Sequence, residues 1–251
     1  MKDGSLDDRW RRVALSTSGN RSDDVHRLFS NIVNEYDFLN RLLTFGFDGY
    51  LRRQAVIAAG IQKGSIVVDA GTGTGELALR AVRHVGSEGM VYGVDFCAPM
   101  LDLAREKARQ RRVERQVHFA VEDVRTFSFP DGFAERVLMG FALRNVPEIE
   151  TVLGEVRRIL KPRGRFVCLE VFQPEGSLLS PFVRFYLHQI VPRVAGLFAP
   201  GGEYTYLPNS LTSFPSINTL LGMFEKVGFG PPFAQVFLGG TFGILCAEVT
   251  D

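Results

Sequence analysis

Two acids bracket a run of alternating glycines in Asp69-Ala70-Gly71-Thr72-Gly73-Thr74-Gly75-Glu76. Glycines at this spacing let a backbone turn with positive φ and approach a ligand closely. The apolar run before them, Ile66–Ala70, reads as a buried strand, and Leu77–Val85 after them as a helix. Strand, glycine turn and helix in that order form the setting in which nucleotide-type ligands bind. A dinucleotide site would rest its pyrophosphate on the helix N-terminus, but here Asp69 and Glu76 would meet it with like charge. The spacing is also G-x-G-x-G, not G-x-G-x-x-G. Acids on both sides of the turn suit a ligand with an amino group and a sulfonium, which makes S-adenosyl-L-methionine the expected cofactor.

Further groups fall at the ends of later apolar runs. Asp95, followed by Phe96, closes Met90–Phe96, where an acid can accept from both ribose hydroxyls. Asp123 follows Val117–Val121, and with Val124 it offers an acceptor and an apolar wall to an adenine. Arg136–Phe141 runs through Gly140 into Leu143-Arg144-Asn145, the place where an acceptor should meet the methyl group. The Asn/Asp-Pro-Pro-Tyr/Phe tetrad that many nucleic-acid amino-methyltransferases carry here is missing.

The elements that must position these groups alternate. Strands are expected at 66–70, 90–96, 117–121, 136–141 and 165–172, and helices at 77–85, 99–110 and 147–160, the last stopped by Lys161-Pro162-Arg163-Gly164. That alternation implies right-handed crossovers in an α/β, Rossmann-like, mostly parallel sheet with helices on both faces. After Phe172 it breaks. A helix with an apolar face is expected at Leu179–Val191 and another at Ile217–Val227. A hairpin, Val236–Leu238 and Thr241–Val249 turning at Gly239-Gly240, would add a final antiparallel strand. Residues 1–24 are polar and read as a mobile leader, and 25–251 as one domain. Within it, 25–60 forms short helices (Leu28, Ile32, Val33, Leu39, Leu42 and Leu43 recur at helical spacing) and 173–215 a helical cap over the sheet's carboxyl edge.

A net charge of +1 over 251 residues makes no field for nucleic acid. Cys97, Cys168 and Cys246 have no metal-ligand spacing and fit a reducing, cytoplasmic setting. The stretch closest to a membrane span, Leu178–Pro200, is interrupted by Arg184, His188, Arg193, Pro181 and Pro192.

With these residues assembled, the chain resembles the ubiquinone/menaquinone biosynthesis C-methyltransferases, the type that methylates demethylmenaquinol. The likeness covers nearly everything after residue 25. It is carried by Phe29–Asn40 (F-S-N-I-V-N-E-Y-D-F-L-N), the glycine turn, Phe141–Val146 (F-A-L-R-N-V), Arg158–Glu170 (R-I-L-K-P-R-G-R-F-V-C-L-E) and Tyr204–Ser210 (Y-T-Y-L-P-N-S). The resemblance implies a class I fold and a cofactor site of Asp69, Gly71, Gly73, Thr74, Gly75, Asp95, Phe96, Asp123, Val124 and Gly140. It sets Tyr36, Asp37, Arg144 and Asn145 beside an apolar quinol; Asn40, the last residue of Y-D-x-x-N, and His188, on the helix expected at 179–191, are further substrate-binding candidates. Arg144, Asn145 and Tyr36 are the catalytic candidates, and no metal is expected. Three departures stand out. The family's His and Trp after Y-D-x-x-N are absent from Phe45-Gly46-Phe47-Asp48-Gly49-Tyr50, Arg163 replaces a glycine of K-P-G-G-R, and Gly140 stands where Ser is common. Another phenolic, polyketide or sterol-like acceptor stays open, as do a homodimer, a non-catalytic cofactor-binding role and peripheral membrane contact through Leu178–Phe198.

Overall fold

Neighbouring strand residues are buried on opposite faces of one sheet. Val67, Leu138 and Val167 join an apolar layer with Leu51, Leu77 and Val82, while Val68, Val137 and Phe166 join another with Val152, Val156 and Phe224. A strand buried on both faces reads as continuous apolar sequence, as Ile66–Ala70 does. The computed structural model describes residues 36–173, 185 and 214–250.

Helices α1 (Tyr36–Leu43) and α2 (Asp48–Ala59) lead in. Then come β1 (Ile66–Ala70), α3 (Glu76–Val85), β2 (Met90–Asp95), α4 (Ala98–Gln110), β3 (Val117–Val121) and β4 (Ala134–Gly140). A 3₁₀ turn (Leu143–Asn145) precedes α5 (Ile149–Ile159) and β5 (Leu160–Val171), and α6 (Ile217–Lys226), β6 (Phe233–Phe237) and β7 (Phe242–Glu248) close the chain. The sheet order is β3-β2-β1-β4-β5-β7-β6, with β7 alone antiparallel to its neighbours. Chain order reverses between β1 and β4, so a crevice opens at the carboxyl ends of those two strands.

The expected strands and crossover helices form, with boundaries shifted by a few residues. The largest shift is in β5. Lys161–Gly164, expected only to stop a helix, is already part of the strand: Leu160 pairs with Ala134 before the register jumps to Arg165 opposite Arg136. Arg163 takes a left-handed φ of 61° there, and the Arg163 N–H donates to the Val249 carbonyl at 3.0 Å. The hairpin turns at Leu238–Gly240, where Gly239 and Gly240 have φ of 64° and 90°.

Helix α2 runs against the strand direction. At its C-terminus Arg136 Nε donates to the Ala59 carbonyl (2.6 Å) and Arg165 NH1 to the Ala58 carbonyl (2.7 Å). Two guanidinium groups thus satisfy carbonyls that a helix end leaves open, and their charge complements the helix dipole. The opposite end of α2 is thereby carried to the crevice.

The expected leader (1–24), nearly all of the expected cap (173–215) and the helix expected at 179–191, with His188, lie outside the described residues. Among the described residues no helix is long and apolar enough to cross a membrane, and no group of His, Cys, Asp and Glu side chains is arranged to hold a metal ion.

Candidate active site

The turn after β1 needs its glycines. Gly71, Gly73 and Gly75 have φ of 66°, 54° and 82°, and a Cβ on Gly71 would lie 2.6 Å from the Ala142 Cβ beyond β4. The turn is therefore pressed against the exit of β4, across the switch point. Asp69 is buried at its base, where Oδ2 accepts from Thr72 Oγ1 (2.6 Å) and from the Ala78 N–H in the first turn of α3 (2.9 Å). Burial pushes the Asp69 pKa up to about 6, against the pull of those hydrogen bonds and of the Arg52 charge. Its other oxygen, Oδ1, is buried and has no hydrogen-bond partner among the described residues. A buried, orphaned carboxylate oxygen at a glycine turn is costly unless a donor or cation meets it. The amino-bearing, positively charged S-adenosyl-L-methionine fits that need.

Asp95 braces the turn from β2. Its Oδ2 accepts from the Gly73 N–H (2.8 Å) and its Oδ1 from the Cys97 N–H ahead of α4 (2.9 Å). An acid at the end of this strand can accept from ribose hydroxyls. Phe96 beside it is 37% exposed, a face on which a purine can lie. In β2, a Cβ on Gly93 would lie 2.5 Å from Phe119 and 2.9 Å from Thr72 Oγ1, so the absence of a side chain there makes room for the turn. Asp123 chelates Arg125, accepting from Nε (3.0 Å), NH2 (2.6 Å) and the backbone N–H (2.9 Å). Burial alone would raise the Asp123 pKa, but the Arg125 bonds outweigh it and hold the carboxyl below its usual range. Val124 packs on the apolar layer that includes Phe127 and Phe129.

The second acid of the turn behaves otherwise than its position implies. Glu76 Oε1 accepts from Lys107 Nζ and Arg111 NH2, both at 3.1 Å. Burial would raise its pKa, yet these cations hold it below the usual range. Its charge is matched within the protein, so the electrostatic preference for a cationic cofactor rests on Asp69. Lys107 Nζ also donates to Asp37 Oδ2 (2.5 Å), and Asp37 Oδ1 accepts from Thr74 Oγ1 (2.6 Å). Asp37, expected beside the acceptor, is thus joined to the glycine turn and α4. Asn40, on the same helix, is buried, and its Nδ2 has no partner among the described residues. Tyr36 opens α1, but its side chain, like His188, lies outside what the structure describes.

The exit of β4 holds the remaining candidates. Phe141 takes a φ of 59°, uncommon for a bulky residue and a mark of local strain. Its carbonyl accepts from Arg144 NH1 (3.0 Å) and Asn145 Nδ2 (3.4 Å). Arg144 NH1 also meets Glu170 Oε1 at 2.5 Å, with the two side chains 5% and 0% exposed. Arg52, from α2, lies with its guanidinium carbon 5.0 Å from the centre of the Phe141 ring and bonds Asp48 at 2.7 Å. A Cβ on Gly140 would lie 2.5 Å from Leu77 Cδ1, so a side chain there needs Leu77 to move.

The structure therefore gathers Asp69, Gly71, Gly73, Thr74, Gly75, Asp95 and Asp37 around one turn, with Arg144 and Asn145 at the adjoining strand exit. Sequence reasoning missed Arg52, Lys107 and Glu170. Only Asp48/Arg52, at i and i+4, left a local trace, and such a pair is ordinarily a solvated one.

A doubly wound sheet with this reversed final strand, and an acid-bounded glycine turn at its switch point, define a class I S-adenosylmethionine-dependent methyltransferase. The fold is similar to that of an S-adenosylmethionine-dependent methyltransferase from Aquifex aeolicus, with a TM-score of 0.57 and 18% identity over 93% of this chain and 100% of that one. More narrowly, the chain belongs to the ubiE/COQ5 methyltransferase family, whose model matches residues 17–250. It is 39% identical to the demethylmenaquinone methyltransferase of Thermus thermophilus, over 89% of this chain and 99% of that protein. It is 34% identical to the ubiquinone/menaquinone biosynthesis C-methyltransferase UbiE of Geobacter sulfurreducens, over 89% and 88%.

Proposed function

We propose that this methyltransferase alkylates a ring carbon of a reduced polyprenyl quinone, demethylmenaquinol or a ubiquinone precursor, in quinone biosynthesis. The observation that carries the reading is the buried guanidinium of Arg144, held at the exit of β4, where Ala142 touches the glycine turn. S-adenosyl-L-methionine, when bound, supplies an electrophilic methyl group. Asp69, Gly71, Gly73, Thr74, Gly75, Asp95, Phe96, Asp123 and Val124 would hold it.

The remaining work is positioning and charge stabilisation. The acceptor carbon gains nucleophilicity as the adjacent phenol loses its proton. Arg144, cationic at any working pH, stabilises the phenolate and is not the base. Asn145 and Tyr36 orient the ring oxygens, Asn40 shares a helix with Tyr36, Asp37 ties that helix to the glycine turn, and His188 is a weaker candidate for proton transfer. The tail would enter along 178–198, which also supplies a peripheral contact with the cytoplasmic face of the membrane, and 25–251 would act as one domain.

The test is methyl transfer from radiolabelled cofactor to short-tailed reduced demethylmenaquinone, with a demethoxyubiquinol analogue and a simple polyketide phenol as parallel arms. Label is expected in a quinol, with Arg144→Ala lowering kcat by about 100-fold. Transfer only to the polyketide phenol, or an Arg144→Ala enzyme as fast as the parent, would overturn the assignment. The region Phe45–Tyr50, which lacks the His and Trp that the family resemblance leads one to expect, is the reason for the third arm: Phe47 and Tyr50, around the start of α2, are 46% and 50% exposed.

A further inference from the structure

We infer that Glu170 is a positioning residue for methyl transfer, acting through Arg144. The inference rests on the reading that Arg144 faces the acceptor. Glu170 is the first residue of β5 beyond its pairing with β4: Leu169 lies opposite Gly140, so Glu170 stands level with the strained exit at Phe141. Its side chain is fully buried, and two of its three hydrogen bonds among the described residues fasten that exit. Oε1 accepts from Arg144 NH1 (2.5 Å) and from the Val171 N–H (2.9 Å), and Oε2 accepts from the Arg144 N–H (3.3 Å). One carboxylate thus grips both the backbone and the guanidinium of the same residue. Arg144 in turn holds the Phe141 carbonyl at 3.0 Å, which fixes the direction of the chain just after the strained Phe141.

Stability alone gives this pair little reason to exist. Desolvating two charges largely cancels their attraction, and apolar residues of similar volume often serve as well. Orientation is a better reason. A guanidinium on a flexible side chain can stabilise developing charge only if its direction is fixed before the acceptor arrives. Glu170 fixes it from the more rigid element, an interior strand, while Arg144 itself sits on a three-residue turn.

The experiment is a double-mutant cycle with Glu170→Gln and Arg144→Ala on the short-tailed quinol assay. Cofactor affinity is followed by calorimetry and amide exchange across residues 141–145 by mass spectrometry. Glu170→Gln keeps the shape and removes the charge. It is expected to lower kcat by about 10- to 100-fold, to leave the cofactor Kd within about twofold, and to speed exchange at 141–145. Glu170→Asp, which shortens the reach but keeps the charge, should recover part of kcat and serves as the second variant if the amide does not fold. In the Arg144→Ala background, Glu170→Gln should cost no further activity. Equal, additive losses in both backgrounds would make Glu170 merely structural and overturn the inference. So would a Glu170→Gln enzyme with parental kcat while Arg144→Ala is impaired. An Arg144→Ala enzyme as fast as the parent would instead remove the acceptor-facing role of Arg144, and the inference with it.

Discussion

A single oxygen atom, Asp69 Oδ1, separates a glycine turn that merely packs from one that awaits a cation. The other oxygen is satisfied by Thr72 and Ala78, while Oδ1 is buried and unpartnered. Burial raises the Asp69 pKa from 3.8 to about 6. Because the folded value lies above the unfolded one, the protonated acid stabilises the fold below about pH 4, and that contribution is lost as pH rises through 6. A shift of this size corresponds to roughly 3 kcal/mol. The parent protein without cofactor should therefore lose stability between pH 4 and 6.5 relative to Asp69→Asn, measured by urea unfolding at each pH. A cationic ligand beside Oδ1 reverses the preference, because it favours the ionised acid. Cofactor affinity should rise across the same interval with a midpoint near 6, and the Asn variant should bind weakly without that rise. Calorimetry showing the same pH slope in both proteins would remove Asp69 from the cofactor site.

At the scale of elements, one cation clasps α1 to the body. Lys107 reaches from α4 to Asp37 and Glu76, and Thr74 adds a hydrogen bond from the turn. Replacing Lys107 with Met leaves Glu76 with Arg111 at 3.1 Å and Arg80 at 3.8 Å, whereas Asp37 loses the cation it meets at 2.5 Å. The expected cost is about 1–2 kcal/mol, between the values for exposed and buried pairs. Amide exchange should quicken over α1 and stay unchanged over α3. Unaltered exchange in α1 would show that apolar packing, not this clasp, holds it. None of this was legible in the sequence, whereas most of the sheet was. Val67-Val68 and Val137-Leu138-Met139 announce strands because burial on both faces demands an unbroken apolar run, and the acids at the carboxyl ends of β1, β2 and β3 mark the crevice because strand ends are polar only where something binds or turns. Lys107, Arg52 and Glu170 carry no such mark. Each acquires its meaning from a partner brought near by the fold, and a lone charge in a helix or at a strand end reads locally as solvated. Glu76, read from the sequence as a charge facing the ligand, likewise meets cations that only the fold brings to it, Lys107 on α4 and Arg111 just after it.

At the scale of the whole molecule, α2 works as a strut between the two ends of the sheet. Its last carbonyls are gripped by Arg136, near the amino end of β4, and by Arg165, which lies opposite it on β5. Its first turns place Arg52 over Phe141, where the Arg52 charge also lowers the Asp69 and Glu76 pKa values. Twelve residues of helix span about 18 Å, so a disturbance at the far end reaches the site only if the helix moves as a rigid body. Leu51, Ala55, Val56 and Ala59 are buried along its length, which ties the rod to the apolar layer without fixing its axial position; the two arginines supply that stop. Changing both Arg136 and Arg165 to Gln should lower stability by about 1–2 kcal/mol, from the lost helix-end charge interactions and carbonyl bonds. If α2 is a strut, the cofactor Kd should also weaken several-fold at a temperature where the variant is fully folded, and Arg52→Met should reproduce that weakening without the change at the helix end. In the double variant, a lowered melting temperature with parental cofactor affinity would mean that α2 covers the sheet but transmits nothing.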